Sequence, residues 1–119
     1  MAYIDGFVAP VLPGKREAYV EMARDAAKIF QEHGAIQVVE TLSDDVPHGK
    51  VTDFYRAVAA EEGETVAFSW IAWPSKAARD AGMAKVMADE RMKPKGGMPF
   101  DMQRIIFGGF DVVLDTDAK

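Results

Sequence analysis

The chain has 119 residues, of which 49% are hydrophobic and 28% are charged. This length and balance predict one compact domain over residues 1–119 and exclude a disordered chain. The absence of cysteine excludes thiolate catalysis, zinc–cysteine and iron–sulfur sites, and disulfide frameworks. The net charge of -5 repels phosphate backbones, so we expect no nucleic-acid partner.

The first segment reads MAYIDGFVAPVLPGK. Asp5 interrupts its apolar run and Pro10 and Pro13 close it, which fits neither a secretion signal nor a membrane anchor. No apolar stretch of the sequence is long enough to span a bilayer. We therefore expect a cytoplasmic protein without a membrane partner. Residues 3–11 are rich in β-forming side chains and predict a first strand that ends before Pro13-Gly14.

Residues 15–33 have the apolar spacing of an amphipathic helix, with steps of three and four residues. Gly34 follows as a C′ cap. Residues 35–42, AIQVVETL, are sufficiently β-branched for a second strand, and the polar stretch after them favours a turn. Residues 51–63 are ambiguous; we interpret them as irregular with a weak preference for a strand.

Residues 65–73, TVAFSWIAW, form the clearest predicted strand. Ser75 is a plausible N-cap for a second helix, which carries a stripe of alanines at residues 77, 81, 84 and 88. After a loop rich in glycine and proline, residues 103–114 predict a last strand. The order β-α-β-β-α-β predicts an α+β, ferredoxin-like plait, in which two helices cover one face of a four-stranded antiparallel sheet.

Side chains alternate between the faces of a strand, so parity divides the first and last strands into two sets. One set contains no acid and is expected under the helices: Ile4, Gly6, Val8, Ile106, Gly108, Phe110 and Val112. The other mixes aromatic residues with carboxylates and is expected on the open face: Tyr3, Asp5, Phe7, Val11, Ile105, Phe107, Gly109, Asp111 and Val113. We further predict that Phe7 lies opposite Gly109 and Gly6 opposite Phe110, so that each ring covers a glycine.

The candidate ligand-binding residues share this expected open face, which a second copy of the chain would cover. They are Tyr3, Asp5, Ser69, Trp73 and Asp111, and Glu40 is a further candidate. A carboxylate between apolar walls has a raised pKa and can act as a general base or hold a ligand's hydroxyl or amine. The alternative is a structural carboxylate paired with an arginine or with backbone donors.

Asp44, Asp45, His48 and Asp53 lie close together in the sequence, but their spacing matches no metal-binding motif and their composition is typical of a capped turn. We expect no metal site there. No phosphate-binding glycine motif or nucleophile elbow occurs, so the sequence supports neither nucleotide binding nor serine hydrolysis. We also expect no organic cofactor. Arg104 either clamps an anionic ligand or pairs with Asp101, and the second interpretation is favoured.

Four segments together resemble the bacterial family called domain of unknown function 1428: YIDGFVAPV, DDVPHGKVTDF, FSWIAWPSKAARD and MPFDMQRIIFGGF. The resemblance covers nearly the whole chain. That family is similar to the dimeric α/β-barrel superfamily, in which two ferredoxin-like protomers pack sheet against sheet. Its relatives include quinol-type monooxygenases, chlorite dismutases and small stress-induced proteins. The resemblance implies a fold and a homodimer but no reaction.

Two functions remain open. In the first, the protein is a small dimer that binds, or also transforms, a small organic molecule inside the barrel without an organic cofactor. In the second, it is a non-catalytic homodimer, structural or stress-related, whose interior is filled with side chains. A drug-sized ligand needs a cavity of about 300 Å³ or more, so the interior volume separates the two. The sequence identifies neither a catalytic residue nor a substrate.

Overall fold

A computed structural model describes residues 2–93 and 97–117. The elements in chain order are β1 (Tyr3–Val11), α1 (Arg16–Glu32), β2 (Gln37–Leu42), α2 (Phe54–Ala57), β3 (Thr65–Trp73), α3 (Lys76–Ala88), a 3-10 turn (Glu90–Met92) and β4 (Ile106–Asp111). The strands form one antiparallel sheet in the order β2-β3-β1-β4, and α1 and α3 pack on one side of it. The predicted ferredoxin-like plait is confirmed.

Local signals in the sequence place several element boundaries correctly. Gly34 follows α1 with a φ of 112°, a left-handed conformation that glycine adopts without a Cβ clash. Ser75 caps α3, since its Oγ accepts a hydrogen bond of 3.0 Å from the amide of Ala78. Gly34 and Ser75 therefore confirm the predicted end of α1 and the predicted start of α3.

Two segments differ from their predictions. Within residues 51–63 the structure has the short helix α2 and not a strand, because the Asp53 carboxylate accepts a 2.7 Å hydrogen bond from the Arg56 amide and caps it. The last strand covers only Ile106–Asp111 and not residues 103–114. Its expected start is instead part of a turn, in which Asp101 accepts hydrogen bonds from the Gln103 amide and the Arg104 side chain.

The predicted assignment of the sheet faces is wrong. The acid-containing set lies under the helices: Tyr3 and Asp5 are buried there, and α3 contributes Arg79 to them. The acid-free set lies on the open face, where Ile106 and Phe110 are exposed. Parity separates the two sets correctly, but it cannot show which set the helices cover, because the partners of the carboxylates come from distant parts of the chain.

The predicted register of β1 and β4 is also wrong, by two residues. Phe7 lies opposite Phe107, and Gly6 lies opposite Gly108. The two phenylalanine rings stack with centroids 6.3 Å apart, so aromatic pairing determines this register. A ring still shields the glycines, since a Cβ on Gly6 or Gly108 would meet the side chain of Phe110 at 3.5 or 3.6 Å.

The core between the sheet and the helices consists of two clusters. Under α1, Val11, Tyr19, Ala23 and Ala67 pack together, with Phe100 against them. The second cluster contains Ala35, Ile71 and Trp73, and Trp73 is fully buried. Gly82 lets α3 approach this cluster, because a Cβ there would collide with the Trp73 ring. No helix in the described ranges is long and apolar enough to cross a membrane.

Candidate functional site

The structure divides the predicted site residues among three places. The first is a group that we call the Asp5 network, formed by Tyr3, Asp5, Trp73 and Arg79. Trp73 Nε1 donates a hydrogen bond of 3.0 Å to Asp5 Oδ2, and Arg79 Nε lies 3.4 Å from Asp5 Oδ1. Arg79 Nη2 donates a 3.1 Å hydrogen bond to Tyr3 Oη, and the guanidinium lies 4.9 Å from the centre of the Tyr3 ring.

Arg79 forms an ion pair between α3 and Asp5 of the sheet, although its buried Nε makes no hydrogen bond among the described residues, and it also pairs with Asp80. Burial raises the pKa of the Asp5 carboxyl, while Arg79 and the Trp73 hydrogen bond counteract part of this rise. Gly109 gives the network its space, because a Cβ there would overlap Tyr3 and Arg79. The geometry matches the structural alternative, an arginine-paired carboxylate. Ligand binding by Tyr3, Asp5 and Trp73 stays a prediction.

Ser69 is buried beside a second place, which we call the α1–β2 groove and which Glu40 lines. Tyr19 Oη donates a 2.6 Å hydrogen bond to Glu40 Oε1, and Ser69 lies directly opposite Glu40 in the strand pairing. The groove has a volume of about 350 Å³, and α1 contributes Arg16 and Arg24 to its lining. Glu40 therefore lies on the same face as Asp5 but in an accessible cavity.

The surroundings of Tyr19 and Glu40 in the α1–β2 groove favour the protonated form of each side chain. Burial, then the hydrogen bond and charge of Glu40, raise the pKa of the Tyr19 hydroxyl far above its usual range. Burial also raises the pKa of the Glu40 carboxyl, although hydrogen bonds from Tyr19 and Ser69 lower it in part. The Glu40 carboxylate can accept a hydrogen bond from a bound molecule, and the Tyr19 phenol stays neutral.

Asp111 lies in a third place, at the end of the edge strand β4, where it pairs directly opposite Tyr3 and so occupies a position of the helix-covered face. It lines what we call the Trp70 depression, a cavity of about 520 Å³ on the open face. The other lining residues are Ile4, Gly6, Phe68, Trp70, Phe110 and residues 112–114. Asp111 itself is exposed, whereas Asp5 is 7% exposed. The five predicted residues are therefore spread over three places, and ligand binding by Ser69 and Asp111 also stays a prediction.

Sequence reasoning missed the partners of two charged residues. Arg104 pairs with Asp101 at 2.8 Å as favoured, but it also makes two hydrogen bonds of 2.6 and 2.7 Å to the buried Glu64. Arg79, the cation of the Asp5 network, was not a candidate. Charge alone cannot find such residues, because their partners are 40 and 74 residues away along the chain.

The acidic turn around His48 has structural roles. Asp53 caps α2, His48 Nδ1 lies 3.5 Å from Asp53 Oδ2, and the His48 ring stacks on Tyr55 with centroids 4.4 Å apart. Among the residues described, no group of three or more histidines and carboxylates is arranged to hold a metal ion. The expectations of no metal and no organic cofactor stay predictions.

Two solved structures have a similar fold. A putative antibiotic biosynthesis monooxygenase from Bacillus cereus superposes with a TM-score of 0.58 at 14% identity, over 99% of this chain and 97% of the other. A NIPSNAP family protein with unknown function from Agrobacterium tumefaciens superposes with a TM-score of 0.55 at 17% identity, over 92% and 86%. At these identities the likeness concerns the fold alone.

The sequence comparisons are closer. The protein called "Uncharacterized protein YbaA" in Escherichia coli K12 is 55% identical over 116 residues, which cover 97% of this chain and 99% of that protein. The Shigella flexneri protein of the same name matches equally well. Residues 2–102 match the family described as "Protein of unknown function (DUF1428)". The resemblance inferred from the four sequence segments is therefore confirmed, and the chain belongs to the DUF1428 family.

Proposed function

We propose that this protein is a homodimer in which the open faces of two sheets pack together and enclose a compartment for a small, mostly apolar organic molecule. One observation carries the proposal. At the described strand positions of the open face, no residue is charged, and the side chains include Ile4, Phe68, Trp70 and Phe110. An uncharged sheet face of this size is costly in water, and a second copy of the same face covers it by two-fold symmetry.

The exposed area supports the dimer. The single chain exposes 8032 Å². Monomeric proteins of 13.1 kDa expose about 6,400 Å², so the excess is roughly 1,600 Å². A stable interface of standard size takes about 800 Å² from each partner. The excess is therefore large enough for the proposed interface.

The shape of the open face supports a compartment between the two sheets. Gly6 lines the Trp70 depression and lies directly opposite Gly108, and the Phe110 ring packs over both glycines. Strand glycines often mark a place where a ligand or another backbone approaches closely. At about 520 Å³ the depression is larger than the roughly 300 Å³ that a drug-sized ligand needs, and Asp111 supplies a polar group in its lining.

The alternative is a non-catalytic homodimer in which side chains of the partner fill both depressions. The same open face favours either form, because dimerisation covers the apolar surface in both. The two forms differ in whether a ligand binds, and the proposal includes no reaction. We also propose a cytoplasmic location and no nucleic-acid partner, since the net charge of -5 disfavours phosphate backbones.

The first experiment tests the dimer with two phenylalanines of β4 that are both exposed but lie on opposite faces. Phe110→Glu should convert the dimer to a folded monomer in light scattering, because the glutamate would lie unpaired in the contact. Phe107→Glu, on the helix-covered face, is the matched control and should stay dimeric. A wild-type protein that is monomeric at micromolar concentration would overturn the proposal.

The second experiment tests the compartment. A thermal-shift screen of small metabolites on the wild-type protein should find compounds that stabilise it. Gly6→Val should abolish those shifts while the dimer persists, because Gly6 lines the Trp70 depression and the added side chain reduces its volume. A persistent dimer with no stabilising compound would support the filled interior. Shifts that survive Gly6→Val would place the ligand elsewhere on the chain.

A further inference from the structure

The α1–β2 groove is a second concave surface, and it lies on the side of the sheet that the proposed dimer does not use. We infer that this groove binds small organic anions whose apolar body carries a hydroxyl or amino group, such as hydroxy- or amino-substituted aromatic carboxylates. Its volume is about 350 Å³, and three of its polar lining residues are Arg16, Arg24 and Glu40. The inference does not depend on the dimer.

Glu40 and Tyr19 form the polar centre of the groove. Tyr19 is buried, and its hydroxyl hydrogen is used in the 2.6 Å bond to Glu40 Oε1. Glu40 as a residue remains exposed, and a carboxylate accepts more than one hydrogen bond. The second oxygen, Oε2, can therefore accept a hydrogen bond from a hydroxyl or amino group of a ligand. Tyr19 orients the carboxylate and is a positioning residue.

The contrast with Asp5 indicates why Glu40 suits a ligand. Asp5 is buried and has Arg79 as its cation at 3.4 Å. Among the described residues, Glu40 forms no ion pair, and its polar side-chain partners are hydroxyl groups. No cation offsets the partial desolvation of this carboxylate, which costs stability, as expected of a group kept for binding. Burial raises its pKa in agreement with this geometry.

The two arginines specify the charge of the ligand. Arg16 and Arg24 are eight residues apart on α1, about 12 Å along the helix axis, and both line the groove together with Tyr19. Within the described ranges neither arginine forms an ion pair. A guanidinium binds a carboxylate with two parallel hydrogen bonds, so an anionic group has a receptor at either end of the groove.

The remaining walls specify the body of the ligand. They are apolar and include Val20, Ala23, Ala27, Val38 and Leu42. The short side chains of Ala23 and Ala27 leave room on the helix side of the groove, which suits a flat ring or a branched chain. An anion at one end, a donor near Glu40 and an apolar body between them describe a hydroxy- or amino-carboxylate.

The test uses three probes that differ in one group each: 4-hydroxybenzoate, benzoate without the hydroxyl, and 4-hydroxybenzamide without the charge. We expect 4-hydroxybenzoate at millimolar concentration to shift the amide resonances of Ala23 and Val38, and the other two probes to bind more weakly. Glu40→Gln should weaken 4-hydroxybenzoate about tenfold, because a hydrogen bond to a charged acceptor is lost. Glu21→Gln, which removes a charge from α1 outside the groove, is the matched control.

A second pair of variants tests the anion site. Arg24→Gln should reduce the preference for 4-hydroxybenzoate over 4-hydroxybenzamide, whereas Lys28→Gln on the same helix should not. Glu40→Gln keeps an oxygen that accepts from Tyr19, so it should fold normally, and its amide spectrum verifies this. The inference is overturned if none of the three probes shifts these resonances, or if Glu40→Gln and Arg24→Gln bind like their controls. Gly6→Val, which fills the Trp70 depression, leaves this binding unchanged, which separates it from the proposed compartment.

Discussion

The two faces of the sheet differ in the charged residues that they carry. The helix-covered face holds Asp5 and Glu40, and a helix supplies a partner to each, Arg79 from α3 and Tyr19 from α1. At its described strand positions, the open face holds no charge at all. The difference teaches that a carboxylate is tolerated where another element brings a donor to it. The open face receives no such donor from another element and is uncharged, as the proposed dimer interface requires.

The largest effect is expected when the cation that pairs with Asp5 on the helix-covered face is removed. Arg79→Met should destabilise the folded chain by about 3 kcal/mol, since it leaves Asp5 charged and buried without its cation. Urea denaturation measures this free energy of unfolding. The figure is at the low end for buried pairs because 23% of the Arg79 side chain is exposed.

Two controls accompany the Arg79 variant. Lys76→Met, in the exposed pair with Asp80, should leave the denaturation midpoint nearly unchanged. In an Asp5→Asn background, Arg79→Met should cost clearly less, because the buried charge is already removed. Equal costs in both backgrounds would show that Arg79 acts through packing alone.

The next effect compares neighbouring glycines on opposite faces. Gly109→Ala should cost about 2 kcal/mol, because its Cβ would overlap Tyr3 and Arg79 in a packed network. Gly108→Ala should change stability by about 0.5 kcal/mol or less, since the new Cβ meets Phe110 at an ordinary 3.6 Å. Thermal or urea unfolding of both variants measures the difference. Similar costs at the two positions would contradict the assignment of the faces.

The smallest effect concerns Glu40 and has a sign that depends on pH. Burial raises the pKa of Glu40 above its ordinary value of 4.5. An acid with a raised pKa in the folded state costs stability above that pKa, and the cost disappears as the pH falls through it. Glu40→Gln should therefore be at least as stable as the wild type at neutral pH. The wild type should gain relative to the variant as the pH falls towards 4.5.

Urea denaturation of the two proteins over a pH series tests this sign. Asp5, whose pKa burial also raises, is present in both proteins and therefore cancels in the difference. Tyr19, Arg16 and Arg24, the other titratable residues that line the groove, are likewise unchanged. A stability difference that does not depend on pH, or that favours the wild type at neutral pH, would contradict the prediction.

Much of the fold was predictable because its signals are local. Ser75 caps α3 through an amide three residues later, and Gly34 ends α1 through its own backbone freedom. Residues 65–73 form a strand as their β-branched and aromatic side chains predict. The cap at Asp53 is also a local signal, but the aromatic residues that follow Asp53 favoured a strand over the short helix α2.

The candidate site was predictable only in part. Tyr3, Asp5 and Trp73 do come together, since their strands pair in the predicted plait. Ser69 lies beside Glu40, which was a further candidate, and Asp111 lies at the end of β4. Arg79 and Tyr19, the partners of Asp5 and Glu40, were not candidates. The reason is distance along the chain: Tyr19 and Glu40 are 21 residues apart, and Trp73 and Asp5 are 68 apart.

The sequence by itself determined the elements, their order and the division of each strand into two alternating sets, because these depend on periodicity and on neighbours a few residues away. The tertiary structure decided which set the helices cover and in which register β1 meets β4. It also decided which carboxylate has a cation. A single strand carries no information on these points. They depend on where α1 and α3 bring Tyr19 and Arg79, and on the stacking of Phe7 with Phe107.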